Sequence, residues 1–160
     1  MVIEKANASH IPGLIALLDQ VGRVHHNIRP DIFPAGTRKY EKADLEILLT
    51  DEKRPVFVAE EDGRVLGYCF CVLKSHAAGT CSMPRQELYI DDLCVDENHH
   101  RRGIARALYL HGESYARSLG CHSLTLNVWC GNDDAMAFYE AMGLHPRNIM
   151  METRLEEKEC

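Results

Sequence analysis

No stretch of this 160-residue chain approaches the roughly 18 consecutive apolar residues of a membrane-spanning helix. The opening MVIEKANASH carries charge and no apolar block, so no secretory signal is expected. The seven cysteines include no C-x-x-C pair, and their number is odd. That excludes a simple disulfide framework and predicts reduced, mostly buried thiols. The terminal EKEC is not a prenylation box. These absences predict a cytoplasmic protein without a membrane partner. Basic charge is also short: 18 Lys and Arg stand against 24 Asp and Glu, a formal net charge of -6. The balance argues against a nucleic-acid partner and leans towards cationic ones. Neither G-x-x-x-x-G-K-S/T nor G-x-G-x-x-G occurs. His25-His26 and His99-His100 are adjacent pairs, not the i, i+4 pairs that present two ligands on one helix face, and His122 beside Cys121 lacks a second pair, so no metal is expected.

What remains is an ordinary globular composition, 46% hydrophobic, with no repeat and no shift marking a second domain. Residues 1–6 suit an edge strand. Ser9 offers an N-cap, Pro12 a first turn, and Leu14, Leu18 and Val21 recur at helical spacing. RPDIFPAGT (29–37) reads as a connection and 40–50 as a second helix. Strands are predicted at 55–60, 64–74 and 87–96, the second apolar on both faces as a central strand would be. Cys69 and Cys71 would share one of its faces. A helix follows from Gly103 to Leu119, with Leu108, Tyr115 and Leu119 on one stripe and Gly120 as its stop. Residues 122–129 alternate as a strand, Asn132 caps a helix that Gly143 ends, and 147–154 reads as a last strand. The order predicts a mixed α/β (α+β) layer, one sheet with helices on both sides.

The densest signal is ENHHRRGIARALY, 97–109. A strand ending in DEN turns through HHRRG into a helix, whose first N–H groups have no partner inside it. Their dipoles favour an anion. Gly103 lets backbone approach a bulky group, and Arg101, Arg102 and Arg106 add charge. The arrangement suits a phosphate or pyrophosphate. Solvated arginines and a turn glycine would give the same letters.

LCVDENHHRRGIARALY resembles the acetyl-CoA signature of the GNAT family of N-acetyltransferases, in which a strand ending L-x-V leads into Q/R-x-x-G-x-G/A at a helix start. Leu93, Cys94 and Val95 match the strand end, and Gly103, Ile104 and Ala105 the G-x-A portion. NDDAMAFYEAMGL (132–144) resembles the family's downstream N-x-x-A-x-x-F/L-Y-x-x-x-G-F/L helix. One departure is His100 at the first motif position, which bears on the pyrophosphate contacts. The resemblance implies a central, mostly antiparallel twisted sheet of six to seven strands, splayed to form an acetyl-CoA cleft. It also implies a single domain over 1–160: an acceptor-side half (1–86), a cofactor-binding core (87–145) and a frayed tail (155–160).

The same resemblance implies roles. Amides of Arg101 to Arg106 would wrap the pyrophosphate of coenzyme A, and backbone near Leu93, Cys94 and Val95 would pair with its pantetheine arm. Asn132 would lie near that arm or cap its helix. Tyr139 matches the tyrosine that protonates the departing sulfur, although Phe138, Tyr139 and Met142 also suit a core. Asp91 or Asp92 would supply the base; strict alternation puts Asp91 on the face of Leu93 and Val95 and Asp92 on the other, unless a bulge intervenes. Asn127 stands where some protein-N-terminus acetyltransferases carry glutamate, and it cannot act as a base. By element position, His25, His26 and Tyr40 would line the acceptor pocket. The implied reaction moves acetyl from acetyl-CoA to a primary amine on a small molecule, a polyamine or a protein, without a metal. Two alternatives stay open: a non-catalytic acyl-CoA-binding module and an unrelated nucleotide-phosphate binder. Sheet edges would permit a homodimer.

Overall fold

The computed structural model describes residues 1–155. Strand β1 (Val2–Lys5) leads through a 3-10 turn (Ala8–His10) into α1 (Ile11–Ile28), followed by α2 (Lys42–Leu48). Three strands come next: β2 (Val56–Glu61), β3 (Arg64–His76) and β4 (Arg85–Val95). A second 3-10 turn (Glu97–His99) precedes α3 (Ile104–Ser118), β5 (Ser123–Leu126) and α4 (Asp133–Ala141). The sheet runs β1-β2-β3-β4-β5, antiparallel except for the parallel β4–β5 pair.

Alternation along the strands divides the core into two layers. Val56 and Val58 of β2 and Tyr68 and Phe70 of β3 pack with Leu14, Leu18, Leu45 and Leu48 of α1 and α2. Phe57 and Ala59, with Cys69 and Cys71, face Leu108, Tyr109 and Ala116 of α3. The two β3 thiols share that face, their sulfurs 3.6 Å apart. Ile11, Leu14 and Leu18 follow the i, i+3, i+7 spacing of a buried stripe. Each fully buried leucine contributes about 1.5–3 kcal/mol of transfer free energy. β3 is central, and Leu66 to Cys71 are buried on both faces.

Several expectations are corrected. The sheet has five strands, not six or seven. Residues 147–154 form none: Ile149, Met150 and Met151 are 79%, 90% and 85% exposed. Three successive apolar side chains cannot all face one side of a strand. Ion pairs from Arg147 to Glu87, Glu152 to Arg29 and Arg154 to Asp31 hold the segment instead. The expected 122–129 strand shortens to Ser123–Leu126. Asn7, not Ser9, makes the N-terminal cap, accepting the Ser9 N–H at 2.9 Å one 3-10 turn before α1. Leu119 leaves its stripe and is 39% exposed. Of the described cysteines only Cys69, Cys71 and Cys94 are buried; Cys121 is intermediate, while Cys81 and Cys130 lie exposed in loops. Apart from Leu155, the expected tail lies outside the described residues. Among the described residues no helix is long and apolar enough to cross a membrane.

The α1–α2 connection is seated by a glycine. A Cβ at Gly22 would overlap the Thr37 carbonyl oxygen, which is backbone and cannot rotate away. Gly22→Ala should therefore destabilise the fold by about 1–3 kcal/mol, read from urea unfolding midpoints at unchanged m-value.

Candidate functional site

The site begins with a mismatch of strand lengths. β4 pairs with β3 along all of Arg85–Val95, but with β5 only from Glu87 to Ile90. Beyond Ile90 the two parallel strands separate and one edge of β4 lies open. Asp96 N–H donates to the Leu66 carbonyl at 2.8 Å, flanking the Val95–Gly67 pair. In an antiparallel ladder this turns Val95's own N–H and C=O away from β3, and the two-residue period does the same for Leu93. The Val95 oxygen accepts from Gln20 Nε2 at 2.9 Å and from His100 Nε2 at 3.0 Å. Cys94 points the other way and is buried against α1.

A β-bulge coincides with the parting of the strands. Phe70 pairs with Asp92 and Cys71 with Ile90, so Asp91 is the unpaired extra residue. The alternation expected for the aspartates is thereby corrected: Asp91 does not share the face of Leu93 and Val95. Both carboxylates contact groups of the α1–α2 side. Asp91 Oδ2 accepts from Tyr40 Oη at 2.8 Å and pairs with Lys39 Nζ at 2.8 Å. Tyr40 in turn accepts from Arg54 at 2.8 Å. Burial first, then the hydrogen bond to Asp91, pushes the Tyr40 phenol up to about 12.

Asp92 has a drier environment. Its Oδ2 accepts from Tyr68 Oη at 2.9 Å, and Tyr68 is wholly buried. Burial pushes the Asp92 carboxyl up to about 6, against the opposing pull of the Tyr68 hydrogen bond and the Lys39 charge. Tyr139, on α4, packs against Phe138 and Tyr109 with ring centroids 5.0 and 6.5 Å away. Burial, then the nearby Cys69 and Asp92, raises its phenol well above its ordinary 10 and keeps it protonated at neutral pH. Asn132 caps α4 by accepting the Ala135 N–H at 3.3 Å.

At the mouth of the open edge, the loop into α3 has left-handed backbone at Arg101 (φ 60°) and Gly103 (φ 77°). Arg101 adopts this conformation although it carries a side chain, whereas glycine does so freely. Gly103 is the N-cap and has no side chain to bond the helix N–H groups. A Cβ there would meet no protein atom within 4 Å, so packing does not demand the glycine and the cradle faces open space. Ile104 anchors the turn in the core and Ala105 is partly buried beside it. Arg102 is bound to Glu61 at 2.9 Å, while Arg101 and Arg106 are exposed. Backbone donors with a loose arginine fringe suit a diphosphate.

At the end of α1, His25 stacks on Phe33 at 5.0 Å and His26 Nδ1 bonds the Phe33 carbonyl at 2.8 Å. Phe33 meets the edge of Trp129 at 5.3 Å, with Arg29 over the indole at 5.8 Å. Burial, then Lys39, lowers the His25 pKa. A cavity of about 320 Å³ opens beside this cluster, lined by Val24, Ile28, Asn132, Asp133 and Asp134. Asn127 is exposed and donates to Tyr89 Oη at 3.1 Å. Lys39, Arg54, Tyr68 and Gln20 were not singled out from the sequence. Tyr68 sits in an unbroken apolar run, Gln20 lies between stripe positions of α1, and Lys39 and Arg54 come from connections without a readable pattern. Glu4, His10 and Glu60 bring potential ligand atoms within 4.8 Å of one another. Asn7 N–H donates to His10 Nδ1 at 3.1 Å, leaving the ring proton on Nε2, where it bonds Glu60 at 2.8 Å. That trio is a hydrogen-bonded clasp.

The Asp92 environment has a measurable cost. Its folded value near 6 lies above the ordinary 3.8, so the folded state holds the proton more tightly. Stability from this group is fully present below the unfolded value and is lost as pH rises through the folded one. Asparagine keeps an acceptor for Tyr68 and bears no charge. Asp92→Asn should raise the melting temperature at pH 7 to 8, with the gain over wild type shrinking to nothing as the pH falls towards 4.

The profile of the Acetyltransferase (GNAT) family matches residues 23–144. An uncharacterized N-acetyltransferase of Bacillus subtilis, YycN, is 31% identical over 72 residues, covering 45% of this chain and 46% of that one. The chain thus spans about half the length of this curated relative. A mutant of the BH1408 protein of Bacillus halodurans superposes with a TM-score of 0.93 at 27% identity, covering 98% of this chain and all of that one. The aminoglycoside N-acetyltransferase AAC(6')-Iy, solved with CoA, shares the fold at a TM-score of 0.72 and 19% identity, covering 99% of this chain and 100% of its own. With the family profile spanning the end of α1, the open β4 edge, the turn into α3 and α4, this chain belongs to the GNAT acetyltransferase family.

Proposed function

We propose that the chain is an acetyl-CoA-dependent N-acetyltransferase acting on a primary amine by direct attack in a ternary complex. The observation that carries this reading is the open β4 edge at Leu93 and Val95, with Asp92 on one side of the sheet and Tyr139 on the other. Bound acetyl-CoA supplies an acyl group activated as a thioester. The amides of Arg101 to Arg106 hold its pyrophosphate, and the Leu93 and Val95 backbone groups align the pantetheine arm as an added strand. An N–H from that edge also faces the acyl oxygen as negative charge develops there.

Asp92 takes the proton from the acceptor ammonium, directly or through one water. A free alkylamine titrates near 10.4, about 4 units above Asp92. Desolvation in the cleft lowers the ammonium's value and narrows that gap. Asp92 is preferred over Asp91 because Asp91 is neutralised by Lys39 and Tyr40. Tyr139, protonated at neutral pH, gives a proton to the leaving sulfur. The acidic lining at Asp133 and Asp134 favours a cationic acceptor, whether small amine, polyamine or protein amine.

Acetyl-CoA should raise the melting temperature where ATP at equal concentration does not; no shift at saturating acetyl-CoA would refute the reading. Asp92→Asn and Tyr139→Phe should each keep that stabilisation while lowering kcat about 10²- to 10⁴-fold in a thiol-release assay. In the wild type, kcat should fall on the acid side with an apparent pKa near 6, the value set by burial of Asp92.

A further inference from the structure

Lys39 closes the α1–α2 connection just before Tyr40. Its Nζ lies 2.8 Å from Asp91 Oδ2 and 3.4 Å from the Asp91 main-chain oxygen. Asp91 is the bulged residue where β4 and β5 part. The ammonium also lies 5.7 Å from the centre of the Tyr40 ring, and its charge reaches Asp92. The side chain is 42% exposed, so its amine is accessible from solvent. An aliphatic primary amine thus stands against the Asp91 carboxylate at the splay, one residue before Asp92, which is the chemical group and the place that an acceptor requires. An ordinary surface ion pair would need neither the bulge carbonyl nor this position.

We infer that Lys39 is itself an acceptor, acetylated at Nζ by its own chain. The inference rests on the N-acetyltransferase reading. The Lys39 ammonium gives one proton to Asp92. The neutral nitrogen forms a C–N bond to the acetyl carbonyl carbon and the C–S bond breaks. The sulfur takes the Tyr139 proton, and the nitrogen loses its second proton to solvent, which restores the phenol. The products are N-acetyl-Lys39, free coenzyme A thiol and one proton from the original ammonium. The new amide is uncharged, so Asp91 loses its ion pair and keeps only the Tyr40 hydroxyl.

The full chain would be incubated with acetyl-CoA and no added amine, and acetylated peptides followed by mass spectrometry. Lys5, Lys42 and Lys53 are exposed and report the uncatalysed background. Lys39 should gain one acetyl group at least about tenfold faster than these, because it is held in place. The rate should be first order and independent of protein concentration. Asp92→Asn and Tyr139→Phe, each retaining Lys39, should slow Lys39 labelling to the background while leaving the other lysines unchanged. Labelling of Lys39 no faster than of Lys5, Lys42 and Lys53, in a sample that binds acetyl-CoA and releases thiol with added amines, would overturn this inference alone. A labelling rate that climbs with protein concentration would overturn transfer within one chain. No stabilisation by acetyl-CoA and no thiol release with any amine would remove the parent reading, and this inference with it.

Discussion

The arrangement depends on one extra residue. Asp91 has no partner across β3, and directly before it β4 gives up its pairing with β5. A bulge bends the strand that carries it and re-aims the side chains beyond. Without it, Asp91 and Asp92 would fall on opposite faces; with it, both meet groups on the α1–α2 side while Leu93 still packs towards α3. The same departure leaves backbone groups of Leu93 and the Val95 N–H without a strand partner, while the Val95 oxygen is taken up by Gln20 and His100. Open backbone at a sheet's centre is costly unless something pairs with it, and the extended ligand arm proposed above would supply the missing bonds as a further strand.

The two layers have different jobs around that opening. α3 and α4 present a positive turn, a phenol and the acidic rim of Asp133 and Asp134, whereas the α1–α2 connection presents Asp91's partners Lys39 and Tyr40 and, with α1, the His25–Phe33 part of the aromatic cluster. The two aspartates differ because their surroundings do. Lys39 and Tyr40 compensate Asp91 in a partly open position, while Asp92 has one neutral donor, Tyr68, in a dry one. Burial therefore moves Asp92 towards neutrality and raises Tyr139 further above it. Two titratable groups pushed to useful and unequal values across one opening form the pattern that proton transfer in both directions requires.

Local signals made part of this legible and non-local pairing hid the rest. The continuous apolar run at 64–74, the α1 stripe and the Asn132 cap each depend on residues a few positions apart, and each formed close to where its letters place it. The HHRRG turn is likewise local, and its left-handed Gly103 follows from the letter itself. The bulge is different. Nothing in ELYIDDLCV marks Asp91 as the extra residue, because the excess exists only against β3, some 20 residues earlier in sequence. Tyr68 was hidden for the same reason, its partner Asp92 being 24 positions away. The 147–154 segment failed in the opposite sense: its composition suits a strand, but its three apolar residues lack alternation and its charges found partners in the loop after α1 and on β4.

His100 shows how a departure in a signature can leave the structure beneath it intact. A glutamine or arginine at this position has a long arm for an anion; imidazole is shorter and is already engaged. His100 Nε2 donates to the Val95 carbonyl at 3.0 Å, tying the loop to the end of β4. Gln20 donates to the same oxygen from α1 and accepts from Glu97 N–H at 3.1 Å. Three elements therefore converge on one strand terminus, and the turn that follows starts from a fixed point. The groups proposed to take the pyrophosphate are main-chain N–H groups of a turn with two left-handed residues, Arg101 and Gly103, and not the side chain at 100. Arg102 is likewise held by Glu61 and contributes by shaping the rim. The cradle is thus a property of the backbone path, and the side chains around it keep that path in place.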